Sequence, residues 1–268
     1  MNGARNLIYL YGIVPENAPE PPSDLRGLEG GAVRLVAAGG VKGVVGEVPS
    51  AEYAEEALNS RLDDLTWIGE RGLAHEAVLS WYAERGPVIP LSLFSLHTDE
   101  ARLRERLESD AARTRRILAG LAGRREWGIK LWRIDETFQE HVDELSPALK
   151  ALTEEMQAVQ PGRQFLLRKK RDALKADEMR AASSRVARGV YEAIESKAER
   201  AAKMTIPQVG SDAGRTLVLH SAFLVPEEDY PEFQRAVSEA AQRNSGIGFE
   251  IEFTGPWPPY HFADDNGD

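Results

Sequence analysis

The side chains that could do chemistry in this 268-residue chain are few and dispersed. His75-Glu76 has the opening of a zinc-protease helix, in which a second histidine four residues on supplies another ligand while the glutamate activates water. That position is Leu79, so the motif is absent. His97, His141, His220 and His261 show no ligand spacing among themselves or with His75, and surface or structural roles account for them. Cysteine is missing altogether, which excludes disulfides, thiol catalysis and cysteine-bound zinc. Gly27, Gly30, Gly31, Gly39, Gly40, Gly43 and Gly46 fall among strand-like runs, whereas a phosphate loop runs from a strand into a helix; turns explain them. Ser221 and Ser245 lack the G-x-S-x-G elbow that exposes a nucleophile. Carboxylates are abundant, and no spacing singles out a pair for acid-base work. No catalytic, metal or cofactor constellation is complete, so the expectation is a protein that is not an enzyme and carries no cofactor.

Two stretches could instead bind. Phe165-Leu166-Leu167 runs into Arg168-Lys169-Lys170-Arg171, the densest basic run. An RNA-binding sheet would present aromatics in a G-F/Y-G/A-F type motif, which does not occur, and the plain alternative is a solvated helix face. At the C-terminus Trp257, Tyr260 and Phe262 stand among Pro256, Pro258 and Pro259. Such a tail is either a strap packed into a groove between domains or a free proline-rich ligand. The strap is favoured, because three unpartnered rings would form an exposed apolar patch.

The elements that must position these stretches follow from periodicity. Asn6–Val14, Val33–Ala37 and Val41–Val48 read as three strands, the last two joined by Gly39-Gly40. Leu58, Leu62, Leu65 and Ile68, then Val78, Leu79 and Tyr82, recur at helical spacing over one long or two consecutive helices. Gly86-Pro87 ends them, Val88–Phe94 reads as a short buried strand, and Thr98 can cap a helix bearing Leu103, Leu107, Ile117, Leu118 and Leu121. Gly120 and Gly123 stop that helix, and Trp127–Ile134 returns to a strand pattern. This places the domain boundary near Gly123, giving residues 1–123 and 124–268.

In the second half Ser146-Pro147 starts a helix, Pro161-Gly162 breaks it, and a second helical stretch runs from about Phe165 to Met204. The expectation is a helical hairpin extension over about 146–204. Thr216–Val225 is a nearly continuous apolar strand, Asp229 can cap a helix bearing Phe233 and Val237, and Phe249, Ile251 and Phe253 alternate with Glu250 and Glu252 as a final strand. That is most of the β-α-β-β-α-β ferredoxin-like order, one strand short. The fold class is therefore α+β, in two domains.

Composition sets the outer bounds. A 42% hydrophobic and 28% charged chain is ordinary for a globular protein. No apolar run approaches the ~20 residues of a membrane span and no signal peptide opens the chain, so a cytoplasmic location is expected. A net charge of -10 argues against nucleic acid and anionic lipid as partners.

Four stretches together resemble the gas vesicle protein L/F family: Leu7-Ile8-Tyr9-Leu10-Tyr11-Gly12-Ile13-Val14, Pro161-Gly162-Arg163-Gln164-Phe165-Leu166-Leu167-Arg168-Lys169-Lys170, His220-Ser221-Ala222-Phe223-Leu224-Val225-Pro226 and Thr254-Gly255-Pro256-Trp257-Pro258-Pro259-Tyr260-His261-Phe262. They span nearly the whole chain in the family's order. Pro90-Leu91-Ser92-Leu93-Phe94-Ser95 departs from the more polar Pro-x-Arg-Phe-Gly run of relatives.

The resemblance implies an N-terminal α+β domain and a modified ferredoxin-like domain with a helical extension, joined in part by the tail. It implies a minor structural component or assembly factor of the gas vesicle, at the vesicle in the cytoplasm, with the hydrophobic shell protein and other accessory proteins as partners. Phe165, Arg168, Lys169 and Lys170 then become candidates for holding partner carboxylates or organising the domain interface, and Trp257, Tyr260 and Phe262 candidates for the strap or a partner contact. An RNA-binding or small-molecule-binding α+β protein is the alternative.

Overall fold

The computed structural model describes residues 6–206, 211–212 and 214–263. The chain clusters into two compact units, Met1–Glu126 together with Pro256–Asp268, and Trp127–Gly255. The sequence placed a boundary at 123/124 and put the tail with the second half. The contacts divide the chain three residues further on and group the tail with the first unit.

In the first unit β1 (Asn6–Pro15), β2 (Arg34–Ala38), β3 (Val41–Pro49) and β4 (Ile89–Pro90) form a sheet in the order β2-β3-β1-β4, and β5 (Leu96–His97) also pairs with β1. Gly39 and Gly40, at φ 60° and 74°, make the β2–β3 turn expected from the sequence. Between the strands and around them come α1 (Ser50–Tyr53), α2 (Glu55–Asn59), α3 (Leu65–Ala83), α4 (Glu100–Ser109) and α5 (Ala111–Leu121).

β1 is buried on both faces, which is why it reads as an unbroken apolar run. Tyr9 and Tyr11 pack with Trp67, Val78, Leu79 and Tyr82 of α3. Ile8 and Leu10 pack with Leu103 and Leu107 of α4 and Leu118 of α5.

The second unit contains β6 (Arg124–Ile134), α6 (Asp135–Leu145), α7 (Pro147–Ala158), α8 (Pro161–Glu195), β7 (Arg200–Lys203), β8 (Ser211–Asp212), β9 (Arg215–Pro226), α9 (Tyr230–Ser245) and β10 (Phe249–Trp257). Its sheet runs β10-β6-β9-β7, with β8 beside β9. Leaving β8 aside, that is fourth, first, third, second in chain order, the split β-α-β arrangement of the ferredoxin-like fold. Phe138, Val142, Leu149, Val190, Ile194, Phe233 and Val237 from the helices close on Ile129, Leu131, Phe223 and Phe249.

The missing strand is β7. It lies inside the stretch that helical spacing assigned to a helix reaching Met204, because Arg-Ala-Ala-Lys offers no β-branched residue and no alternation. α8 ends instead at Glu195. α6 also went unread, since a charged helix with Phe138 and Val142 buried gives a thin apolar pattern.

Three expectations in the first unit are corrected. Leu62 and Leu65 face solvent, and the buried side of α3 is Trp67, His75, Val78, Leu79 and Tyr82. The region 88–94 supplies only the two-residue β4, with Val88 buried just before it. The cap before Leu103 is Asp99, whose carboxylate accepts from Arg102 N at 2.9 Å while Thr98 donates to Asp99, and that helix is two, α4 and α5, divided at Asp110.

Candidate functional site

The histidine with a catalytic-looking neighbour is a buried structural group. His75 Nε2 lies 3.1 Å from the Leu91 carbonyl oxygen, which can only accept, so this nitrogen carries the proton. Nδ1 then accepts from Tyr9 Oη at 2.8 Å, and Tyr9 Oη in turn accepts from Phe94 N at 3.2 Å. Burial pulls the imidazole down to about 4, against the opposing Leu91 contact, so it is neutral at physiological pH. Burial likewise pushes the Tyr11 hydroxyl up to about 12; it accepts from Leu28 N at 2.8 Å.

Beside it lies a second polar knot. Tyr53 Oη donates to Glu29 Oε1 at 2.5 Å, Arg71 holds the same carboxylate at 2.7 Å, and the Arg71 guanidinium lies 4.3 Å from the Trp67 ring centroid. Glu29 and Phe94, which both contact Tyr53, are the non-glycine residues at positive φ among the described residues, 52° and 68°. Each such conformation costs on the order of 1 kcal/mol and persists only where the surroundings enforce it. Neutral imidazole and high-pKa phenols order this core and are not poised to move protons at pH 7.

The other chemical candidates are also accounted for. Ser221 is fully buried and its Oγ donates to the Ile129 carbonyl at 3.5 Å, while Ser245 donates to Gln242 O at the end of α9. His141 Nδ1 donates to Thr137 O at 2.9 Å. Among the described residues no three histidine or acidic side chains come together as metal ligands.

The aromatic tail is held by two carboxylates of the first unit. Tyr260 Oη donates to Glu76 Oε2 at 2.6 Å. His261 places both its backbone N–H, at 3.0 Å, and its imidazole Nδ1, at 2.6 Å, on Glu126. The Glu126 side chain is only 3% exposed, and a buried carboxylate requires such partners. Its hydrogen bond raises the His261 pKa above the ordinary value, against the effect of partial burial. Phe262 and Ala263 are buried, whereas Trp257 and Tyr260 remain 43% and 40% exposed.

Sequence reasoning singled out the tail and missed Glu126. In β6 the period-two pattern of Ile129 and Leu131 puts position 126 on the opposite face, so a buried acid there has no local signal.

The basic run divides by helical phase. Leu167 is buried, and Arg171 turns toward α6 and α7, holding both Asp143 oxygens at 2.8 and 3.0 Å and Thr153 Oγ1 at 3.2 Å. Phe165, Leu166, Arg168, Lys169 and Lys170 are exposed, with Lys169 Nζ 5.1 Å from the Phe165 ring centroid. The sequence-selected residues thus fall in different units, the tail in the first and the outer side of α8 in the second.

The family profile described as "Gas vesicle synthesis protein GvpL/GvpF" matches residues 7–264. The chain is 30% identical over 259 residues to gas vesicle protein L of a Streptomyces species, covering 96% of this chain and 92% of that protein. It is 28% identical over 265 residues to gas vesicle protein L2 of Halobacterium salinarum, covering 96% and 91%. Its fold is similar to the crystal structure of the gas vesicle protein GvpF from an Anabaena species, with a TM-score of 0.69 at 20% identity over 97% of this chain and 98% of that one. Gas vesicle protein GvpF from Microcystis aeruginosa is similar at a TM-score of 0.63 and 20% identity, over 96% and 99%. With the first strand, the α7–α8 break, β9 and the carboxylate-held tail all inside one continuous match, the chain belongs to the gas vesicle GvpL/GvpF family.

Proposed function

We propose that this protein is a non-catalytic accessory factor of gas vesicle formation, a minor structural component or assembly factor that contacts the hydrophobic shell protein and other accessory proteins. The observation that carries this reading is the family match, unbroken over residues 7–264, and that membership supports an accessory role in gas vesicles.

Apolar shell subunits associate prematurely when unshielded, and an acidic partner of net charge -10 can offer them a temporary or nucleating surface. No helix among the described residues is long and apolar enough to cross a membrane, and the proposed location is the cytoplasm, at the vesicle. The two compact units are proposed as its domains.

The test is co-purification of the tagged protein with the shell protein expressed beside it, at low and moderate salt. A complex is expected. If replacing Trp257 and Tyr260 abolishes it with the melting temperature unchanged, the exposed tail rings are the contact; if the replacements lower the melting temperature and the complex persists, the tail is a strap. Absence of a complex at both salt concentrations refutes the shell contact.

A further inference from the structure

α8 uses one side and leaves the other bare. Its inner side is occupied by Leu167, Arg171 and Glu178, the last accepting from Ser146 Oγ at 2.7 Å. On the outer side Gly162, Leu166, Lys169, Ala173, Ala176 and Arg180 recur at alternating four- and three-residue spacing, and every one of them is exposed. Phe165 adjoins this strip, and it and Leu166 expose 58% and 65% of their surface. Four-three spacing keeps these residues on one line of the helix, where Leu166, with Phe165 beside it, is the large apolar group and Lys169 and Arg180 are the charged ones. Glycine and alanine positions let a second backbone approach closely, while Phe165 and Leu166 supply the anchors that helix-in-groove contacts use.

Charge selects the occupant. Residues 161–176 carry six cations, Arg163, Arg168, Lys169, Lys170, Arg171 and Lys175, against the single acid Asp172, in a chain whose net charge is -10. Arg163 is tied to Glu155 at 2.9 Å and Arg171 to Asp143 at 2.8 Å. Arg168, Lys169 and Lys170 stay at the surface around the two apolar side chains. A second copy of the same strip would set like charges against one another, which disfavours self-pairing.

We propose that the outer side of α8 is a docking seam for an amphipathic helix of a partner protein whose apolar stripe is bordered by aspartate and glutamate. The inference goes beyond the shell-protein contact and does not depend on it. Carboxylates at the partner's margins meet Arg168, Lys169 and Lys170, and its leucine-type side chains cover Phe165, Leu166 and the alanines.

The experiment uses the full chain and two fluorescent synthetic helical peptides of about four heptads, both with leucine along the seam. One carries glutamate at the flanking positions and the other lysine. Fluorescence anisotropy is read at low and moderate salt. The glutamate peptide is expected to bind, more weakly as salt rises, and the lysine peptide to bind at least about tenfold less well. Phe165→Ala and Leu166→Ala should each weaken binding about tenfold, and Lys169→Glu with Lys170→Glu should reverse the preference between the peptides.

The melting temperature should not move in any of these variants, since the side chains are exposed; a marked fall would show the strip to be packed and overturn the proposal. Equal binding of the two peptides, or indifference to the loss of Phe165 and Leu166, would also overturn it. A dimer in sedimentation that dissociates in Leu166→Glu would assign the seam to a second copy instead. Tighter binding of a single-stranded RNA oligonucleotide, lost in the lysine variant, would assign it to nucleic acid. Loss of the shell-protein complex with peptide binding intact, or the converse, separates this seam from the shell contact.

Discussion

His261→Ala removes the imidazole that faces the buried Glu126 carboxylate and leaves that acid with a backbone N–H as its remaining contact from the tail. A hydrogen bond to a charged group contributes about 1.5 to 3 kcal/mol. The imidazole is 39% exposed, so solvent screening reduces this to about 1 to 2 kcal/mol. At about 2 to 4 °C per kcal/mol for a domain of this size, the melting temperature should fall by roughly 2 to 8 °C.

The effect depends on pH. The folded protein holds the His261 pKa above its ordinary 6.5, so the stabilisation is fully present below about 6.5 and is lost as pH rises through the higher folded value. Thermal melts of the wild type, His261→Ala, Glu126→Gln and the double variant at pH 6 and pH 9 give the coupling between the two residues directly. A coupling of about 1 kcal/mol at pH 6 that shrinks at pH 9 is expected. A coupling equal at the two pH values, or His261→Ala melting with the wild type at pH 6, would refute the ion-paired latch.

Other outcomes follow from the same contacts. His75 is held neutral with its pKa near 4, a depressed value that makes stability fall as pH drops from about 6.5 toward 4, by about 3 kcal/mol in total; acid titration of His75→Gln, followed by circular dichroism, should show a smaller fall over that range. Gly248 sits at φ 83° with its missing Cβ 2.6 Å from Phe138 N, so Gly248→Ala adds a backbone clash to about 1 to 2 kcal/mol of conformational cost and should destabilise strongly in urea melts. Arg171→Ala removes the bridge from α8 to Asp143 and Thr153, and hydrogen exchange should show α7 losing protection while β6 and β9 keep theirs.

What was legible in the sequence follows where one physical pattern dominates a stretch. β10 declared itself by the alternation of Phe249, Ile251 and Phe253, and the β2–β3 turn by paired glycines, because those signals are local. Ser146 caps α7 by accepting from Leu149 N at 3.2 Å, as the Ser-Pro pair indicated. β7 was hidden because its alanines are strand residues by virtue of pairing with Phe223 and Ala222, a long-range cause. The tail's aromatic content marked it as something that docks, yet its receptors, Glu76 and Glu126, lie 184 and 135 residues away from their partners. Leu62 and Leu65 misled for the opposite reason: apolar residues at helical spacing need not face a core.

The length of α8 has a mechanical consequence. Val190, Tyr191 and Ile194 root this helix of 35 residues in the ferredoxin-like core, while Phe165 stands about 39 Å further along the axis at 1.5 Å per residue. A rod of that reach converts angle into travel: a tilt of about 10° where the rod meets the sheet sweeps Phe165 through roughly 7 Å, more than the pitch of one helical turn. Leu167, Arg171 and Glu178 hold α8 against α6 and α7 along that length, so the far end moves through a tilt shared by the three helices, and a partner gripping Phe165 would then be carried through a full contact register.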